Sequence, residues 1–133
     1  MPNDLHTLIE TGGPLPFPAF MDWALYHPDT GYYADPGRSR VGREGDFITS
    51  VAVGPLFGHL LARRFHEFWD IHKRPAPFTV IEAGAEDGRL AGDILAAARD
   101  LDPAFHEALR YAVVEPMPRK REALAATLAE HPH

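Results

Sequence analysis

Thr79-Val80-Ile81-Glu82-Ala83-Gly84-Ala85-Glu86-Asp87-Gly88 is a β-prone apolar run that ends in a carboxylate and a glycine turn, and a helical pattern follows it directly. Tyr111-Ala112-Val113-Val114-Glu115-Pro116 repeats the arrangement: an apolar run, a carboxylate, then another helical pattern. Open α/β sheets present a nucleoside-binding crevice in this way, at the C-terminal ends of their parallel strands. The two stretches predict an α/β fold with a nucleoside cofactor site, and not a catalytic triad or a metal centre.

The second carboxylate follows the glycine loop by one helix and one connection, about the interval at which such folds place the acidic residue that grips a ribose. Glu115 is the candidate for that role. A ribose diol offers two donors and a carboxylate is an acceptor-only fork, so the pairing is chemically natural at a strand end. Taken alone, Glu115 reads better as a solvated residue ahead of Pro116.

Composition bounds the alternatives. The chain has 133 residues, is 45% hydrophobic and contains no unbroken apolar run long enough to cross a bilayer, which predicts a single soluble domain at most. Met1 to Gly13 carries neither a basic leader with an apolar core nor an Arg-rich amphipathic pattern, so a cytoplasmic, bacterial-like setting is expected. The absence of cysteine excludes disulfides and thiolate metal sites. A formal charge of −6 argues against a nucleic-acid binder and favours small molecules or another protein as partners.

Working outward along the chain, Pro16 to His27 reads as a short helix, with Pro18 in its first turn, Phe20, Ala24 and Leu25 on one face, and Pro28 ending it. A turn follows at Pro28-Asp29-Thr30-Gly31. Tyr32 to Ser50 is rich in glycine and charge without helical periodicity, which predicts a long loop with one short strand near Phe47 and Ile48. Long ordered loops in compact domains are usually functional. From Pro55 the spacing of Leu56, Phe57, Leu60, Leu61, Phe65, Phe68 and Trp69 predicts a helix with a wide apolar stripe, read as core. Phe78 to Ala83 is the first strand. Arg89 to Leu101 is a helix burying Leu90, Ile94, Leu95 and Ala98, Asp102-Pro103 starts a short helix, Tyr111 to Val114 is the second strand, and Pro118 opens a last helix to about Glu130.

The histidines nominate no metal site. His59 and His66 lie two turns apart on one helix without a second ligand pair, and both read as residues of a solvated face. Ser39, Thr49 and Ser50 have no surroundings that nominate a nucleophile, and the His131-Pro132-His133 tail is assigned nothing. No catalytic residue is named.

Tyr26-His27-Pro28-Asp29-Thr30-Gly31-Tyr32-Tyr33, Gly42-Arg43-Glu44-Gly45-Asp46-Phe47-Ile48-Thr49-Ser50, the Glu82 to Gly88 loop and Val114-Glu115-Pro116-Met117-Pro118-Arg119, in this order, resemble the MidA-type methyltransferases, whose mitochondrial members are assembly factors of respiratory complex I. The resemblance covers most of the chain from Gly13 onward. It implies a Rossmann-like sheet, S-adenosylmethionine as cofactor and, as in the mitochondrial members, a protein arginine as acceptor. It also implies roles. Gly84, Ala85 and Gly88 would form the tight loop beside the cofactor, Glu82 would face its amino or sulfonium side, and Glu115 would hold the ribose diol. The loop from Gly42 to Ser50 would act as a flap whose polar contacts come from Asp46, Thr49 and Ser50.

Two positions depart from the family's pattern. The middle glycine of the loop is replaced by Glu86, which brings a side chain and a negative charge toward a cofactor carboxylate and is expected to weaken binding. Val51-Ala52 stands where Pro-Glu usually follows Thr-Ser.

Members of the family are more than twice this length, so the chain reads as an N-terminal portion. Residues 1–74 form a helical and loop segment, and residues 75–133 the first β-α-β-α part of the cofactor domain, with an incomplete sheet. The uncovered edge of the first strand is a route to self-association. The alternative reading is a non-catalytic binding or assembly module, with a protein as substrate or partner in either case.

Overall fold

The computed structural model describes residues 4–34, 41–42 and 45–129. Ser39, the tail from His131 and the expected helix end at Glu130 lie outside the described residues. Elements run in the order α1 (Leu5–Gly12), α2 (Phe17–Tyr26), α3 (Ser50–Val53), α4 (Leu56–Ile71), β1 (Phe78–Ala83), α5 (Arg89–Leu101), α6 (Pro103–Ala108), β2 (Leu109–Val114) and α7 (Pro118–Thr127).

The first strand and the helix after it fall where the sequence reading puts them. The second strand begins at Leu109 rather than Tyr111, because Leu109 is extended and already pairs with Phe78. The two strands are parallel, in register from Phe78↔Leu109 to Ala83↔Val114, and are joined through α5 and α6. Alternation then assigns the faces. Phe78, Val80 and Glu82 of β1, with Leu109, Tyr111 and Val113 of β2, turn toward the helices, whereas Thr79, Ile81, Ala83, Arg110, Ala112 and Val114 are exposed.

The core lies between the inner face of the sheet and the helices, where Trp69, Leu95, Ala98, Phe105, Ala108 and Leu109 cluster. Phe105 is fully buried, with Trp69, Phe78 and His66 against its ring. Burying such a side chain is worth about 1.5–3 kcal/mol. Asp102 starts α6 by accepting from the backbone N–H groups of Ala104 and Phe105, with Pro103 in the first turn, where its missing N–H costs nothing. Helices α4 and α5 approach closely because small residues line their contact: Gly58, Ala62 and Ala91 are buried, and a Cβ on Gly58 would stand 2.5 Å from that of Asp93.

Three expectations are corrected. The apolar stripe of α4 is not all core: Trp69 is buried, but Leu56 and Leu60 are 68% and 56% exposed, and Phe57 and Phe68 are also exposed. The helix packs on α5, on Phe105 of α6 and on α3, and these contacts leave the Leu56 and Leu60 side of the stripe uncovered by any described element. His66 does not belong to a solvated face. It is half-buried, its Nε2 lies 3.1 Å from Asp102 Oδ2, and its ring packs on Trp69 and Phe105. No strand forms at Phe47–Ile48; Phe47 makes a single bridge with Val41. A short helix, α3, follows instead, and the sequence reading also missed α1, which Asp4 caps through Thr7.

Candidate functional site

The strand β1 ends in a loop that needs left-handed backbone. Gly84, Glu86 and Gly88 have φ of 73°, 53° and 79°, a region natural to glycine and strained for glutamate. The Gly84 N–H bonds the Val114 carbonyl at 2.8 Å, which ties the loop to the end of β2. A Cβ on Gly84 would meet nothing within 4 Å, so the backbone there is open to close approach. Ala85 is buried. Gly88 precedes α5 and supplies no side chain to its first turn, and Asp87 Oδ1 accepts the Arg89 N–H.

Glu82, the last inward-facing residue of β1, is half-buried and accepts a hydrogen bond from the Tyr111 hydroxyl at 3.0 Å. Burial pushes its carboxyl above the usual range, the Tyr111 bond opposes this, and the charge of Asp87 adds to the rise. The Tyr111 hydroxyl is in turn raised well above its ordinary value by burial and by the neighbouring Glu82 charge.

Glu115 is buried, at 8% exposure, and so is not the solvated residue its position suggests in isolation. Its Oε1 accepts the Met117 N–H at 2.9 Å, and the residue borders an open, mostly apolar cleft of about 250 Å³ that Val113, Arg121, Leu124, Ala125 and Leu128 also line. A carboxylate with one oxygen engaged by a single backbone donor retains further acceptor capacity.

The third group of sequence-nominated residues lies on the loop before α3. Asp46 Oδ2 accepts the Tyr32 hydroxyl at 2.7 Å, Thr49 caps α3 through the Ala52 N–H, and Ser50 opens that helix. Tyr32 follows Gly31, which sits where the chain folds back on α2: the Tyr32 and Tyr33 N–H groups bond the carbonyls of Ala24 and Leu25. A Cβ on Gly31 would lie 2.5 Å from the His27 nitrogen, so only glycine fits that turn.

Contacts connect this loop to the glycine turn. The Tyr32 ring meets Tyr33 edge-on at 4.9 Å, Lys120 Nζ lies 5.2 Å from the Tyr33 ring centre, and the same ammonium is 3.7 Å from Glu86 Oε1. Sequence reasoning missed Tyr33, Tyr111, Lys120 and Arg121 as neighbours of the site. Tyr111 reaches Glu82 on the diagonal of two parallel strands, a relation that needs the register. Lys120 reaches Glu86 only because α7 folds back over the loop, where Leu124 meets Gly88.

The arrangement is a glycine loop and two inward carboxylates at the C-terminal ends of parallel strands. It offers open backbone at Gly84 and carboxylate acceptors to a polar ligand. Among the described residues no group of three His, Asp or Glu side chains is placed to hold a metal ion, and no helix is long and apolar enough to cross a membrane.

Comparison with known proteins agrees with this geometry. The family described as "Putative S-adenosyl-L-methionine-dependent methyltransferase" matches residues 60–133. The chain is 34% identical over 123 residues to the cattle mitochondrial protein arginine methyltransferase NDUFAF7, covering 92% of this chain and 27% of that protein. It is 38% identical over 93 residues to the Drosophila melanogaster homologue, covering 70% and 21%. A crystal structure of a COG1565 superfamily member from Burkholderia thailandensis, bound to S-adenosyl-homocysteine, superposes with a TM-score of 0.72 at 31% identity, over 96% of this chain and 32% of that one. The chain thus spans about a quarter of the curated relatives it matches. With the family match extending over more than half of its length, the chain belongs to the MidA-type S-adenosyl-L-methionine-dependent methyltransferases.

Proposed function

We propose that this chain carries the cofactor-binding part of an S-adenosylmethionine-dependent protein methyltransferase, with an arginine side chain as acceptor, as the names of the cattle and fly relatives state for those proteins. The observation that carries the reading is the pairing of the left-handed loop 84–88 with the buried Glu115, joined through the Gly84 to Val114 hydrogen bond. The residues fit such a cofactor. Gly84 leaves its backbone open, and Glu115 has acceptor capacity for a ribose diol beside an apolar cleft. Glu82 would face the cationic side of the ligand, held in place by Tyr111.

When bound, the cofactor supplies a methyl group on a positively charged sulfur. The contribution of these residues is binding and orientation, which for such a transfer is the larger share of catalysis. Asp46, Thr49 and Ser50 belong to a flap coupled to the loop through Tyr32 and Tyr33.

A second reading has its own support. The sheet has two strands among the described residues, with Ile81 and Val114 exposed on its outer face, and parallel sheets are ordinarily covered on both faces. By itself the chain then acts as a binding or assembly module without methyl transfer.

Calorimetric titration with S-adenosylhomocysteine and with adenosine tests the cofactor assignment. Glu115→Ala is expected to weaken both by about tenfold or more, since hydrogen bonds to a charged group are worth about 1.5–3 kcal/mol. Equal affinity in the two proteins would remove Glu115 from the site.

A further inference from the structure

Glu86 is doubly out of place. It holds a φ of 53° between two glycines of the same hand, and it brings a carboxylate to the middle position of the loop, where the family's pattern has a glycine. Its neighbours account for how the loop tolerates it. Lys120 in the first turn of α7 places its ammonium 3.7 Å from Glu86 Oε1 and 5.2 Å from the centre of the Tyr33 ring. Both side chains of the ion pair are about 70% shielded from solvent, at 31% and 26% exposure, so the charge of Glu86 is balanced where screening by water is incomplete.

We propose that Lys120 is a positioning residue of the glycine loop: it neutralises Glu86 and draws its carboxylate toward α7, and so allows the loop to accept the carboxylate of a nucleoside ligand's amino-acid end. This rests on the cofactor reading above and deepens it. Without Lys120 the Glu86 carboxylate is released beside the loop and repels the ligand carboxylate. The effect is confined to ligands that carry one, and it vanishes when Glu86 is absent. The ring of Tyr33 also contacts the ammonium, which links the fold-back after α2 to the same loop.

Titration calorimetry of the whole chain with S-adenosylhomocysteine, and with adenosine as the ligand lacking the amino-acid end, decides the matter. Lys120→Met is expected to weaken S-adenosylhomocysteine about threefold, the scale of a partly shielded ion pair, and to leave adenosine unchanged. Lys120→Arg retains the wild-type affinity, and Glu86→Gly combined with Lys120→Met binds at least as tightly as wild type. Equal affinity in wild type and Lys120→Met overturns the proposal. So does an equal loss in the Glu86→Gly background, which would make Lys120 a direct ligand contact, or an equal loss for adenosine, which would make its role structural. If wild type binds neither ligand, the cofactor reading fails by itself. The positioning role then stands or falls on amide exchange at residues 85–88, faster in Lys120→Met than in Lys120→Arg if it holds and alike in both if it does not.

Discussion

Tyr111 donates its hydroxyl to Glu82 Oε2 at 3.0 Å across the diagonal of the two parallel strands, and this bond orients the carboxylate at the end of β1. Glu82 has a raised folded-state pKa, so its contribution to stability is fully present below the unfolded value of about 4.5 and is lost as pH rises through the folded value. Tyr111→Phe removes the bond that favours the ionised form and raises that pKa further. The variant should be less stable by about 1 kcal/mol near neutral pH and by roughly half that in mild acid. Urea titrations at the two pH values check this, and a deficit independent of pH would separate Tyr111 from the ionisation of Glu82.

His66 and Asp102 join α4 to the corner between α5 and α6. The hydrogen bond from His66, followed by the backbone N–H groups of Ala104 and Phe105, holds the Asp102 carboxyl below its ordinary range. The stability it contributes is present above the unfolded value of about 3.8 and is lost as pH falls through the lower folded value. Asp102→Ala should be destabilised near neutral pH, and its difference from wild type should close in strong acid. Thermal unfolding across an acid series reads this directly.

Gly31→Ala puts a methyl group 2.5 Å from the His27 nitrogen, so the fold-back after α2 must open. Amide exchange at Tyr32 and Tyr33, whose N–H groups bond Ala24 and Leu25, should then accelerate by about tenfold or more, as for a lost hydrogen-bonded turn worth at least ~1.4 kcal/mol. Unchanged protection there would show that the turn yields without cost.

The outer face of the sheet predicts self-association. Ile81 and Val114 are 68% and 56% exposed beside a β1 edge that lacks a partner strand among the described residues. Light scattering should show mass growing with concentration, and Ile81→Lys with Val114→Lys should suppress it. A monodisperse monomer at high concentration, with slow amide exchange throughout residues 79–114, would contradict this.

The sequence by itself determined the elements whose signals are local. The β-prone apolar run closed by a glycine turn marked β1 at Phe78–Ala83, the spacing of Leu90, Ile94, Leu95 and Ala98 marked α5, and Asp102-Pro103 marked the start of α6. The glycine loop and the strand-end carboxylates were legible for the same reason, since each rests on neighbours in the chain. Only the tertiary structure decided what depends on residues meeting across it. Whether the stripe of α4 was core depended on which side of the helix other elements packed against, and the contacts with α5, α6 and α3 leave Leu56 and Leu60 in solvent. His66 turned inward because Asp102 and Phe105 converge on it from the start of α6, beside Trp69 of its own helix. The burial of Glu115, the diagonal from Tyr111 to Glu82 and the reach of Lys120 to Glu86 follow from strand register and from the fold-back of α7, and no periodicity encodes either.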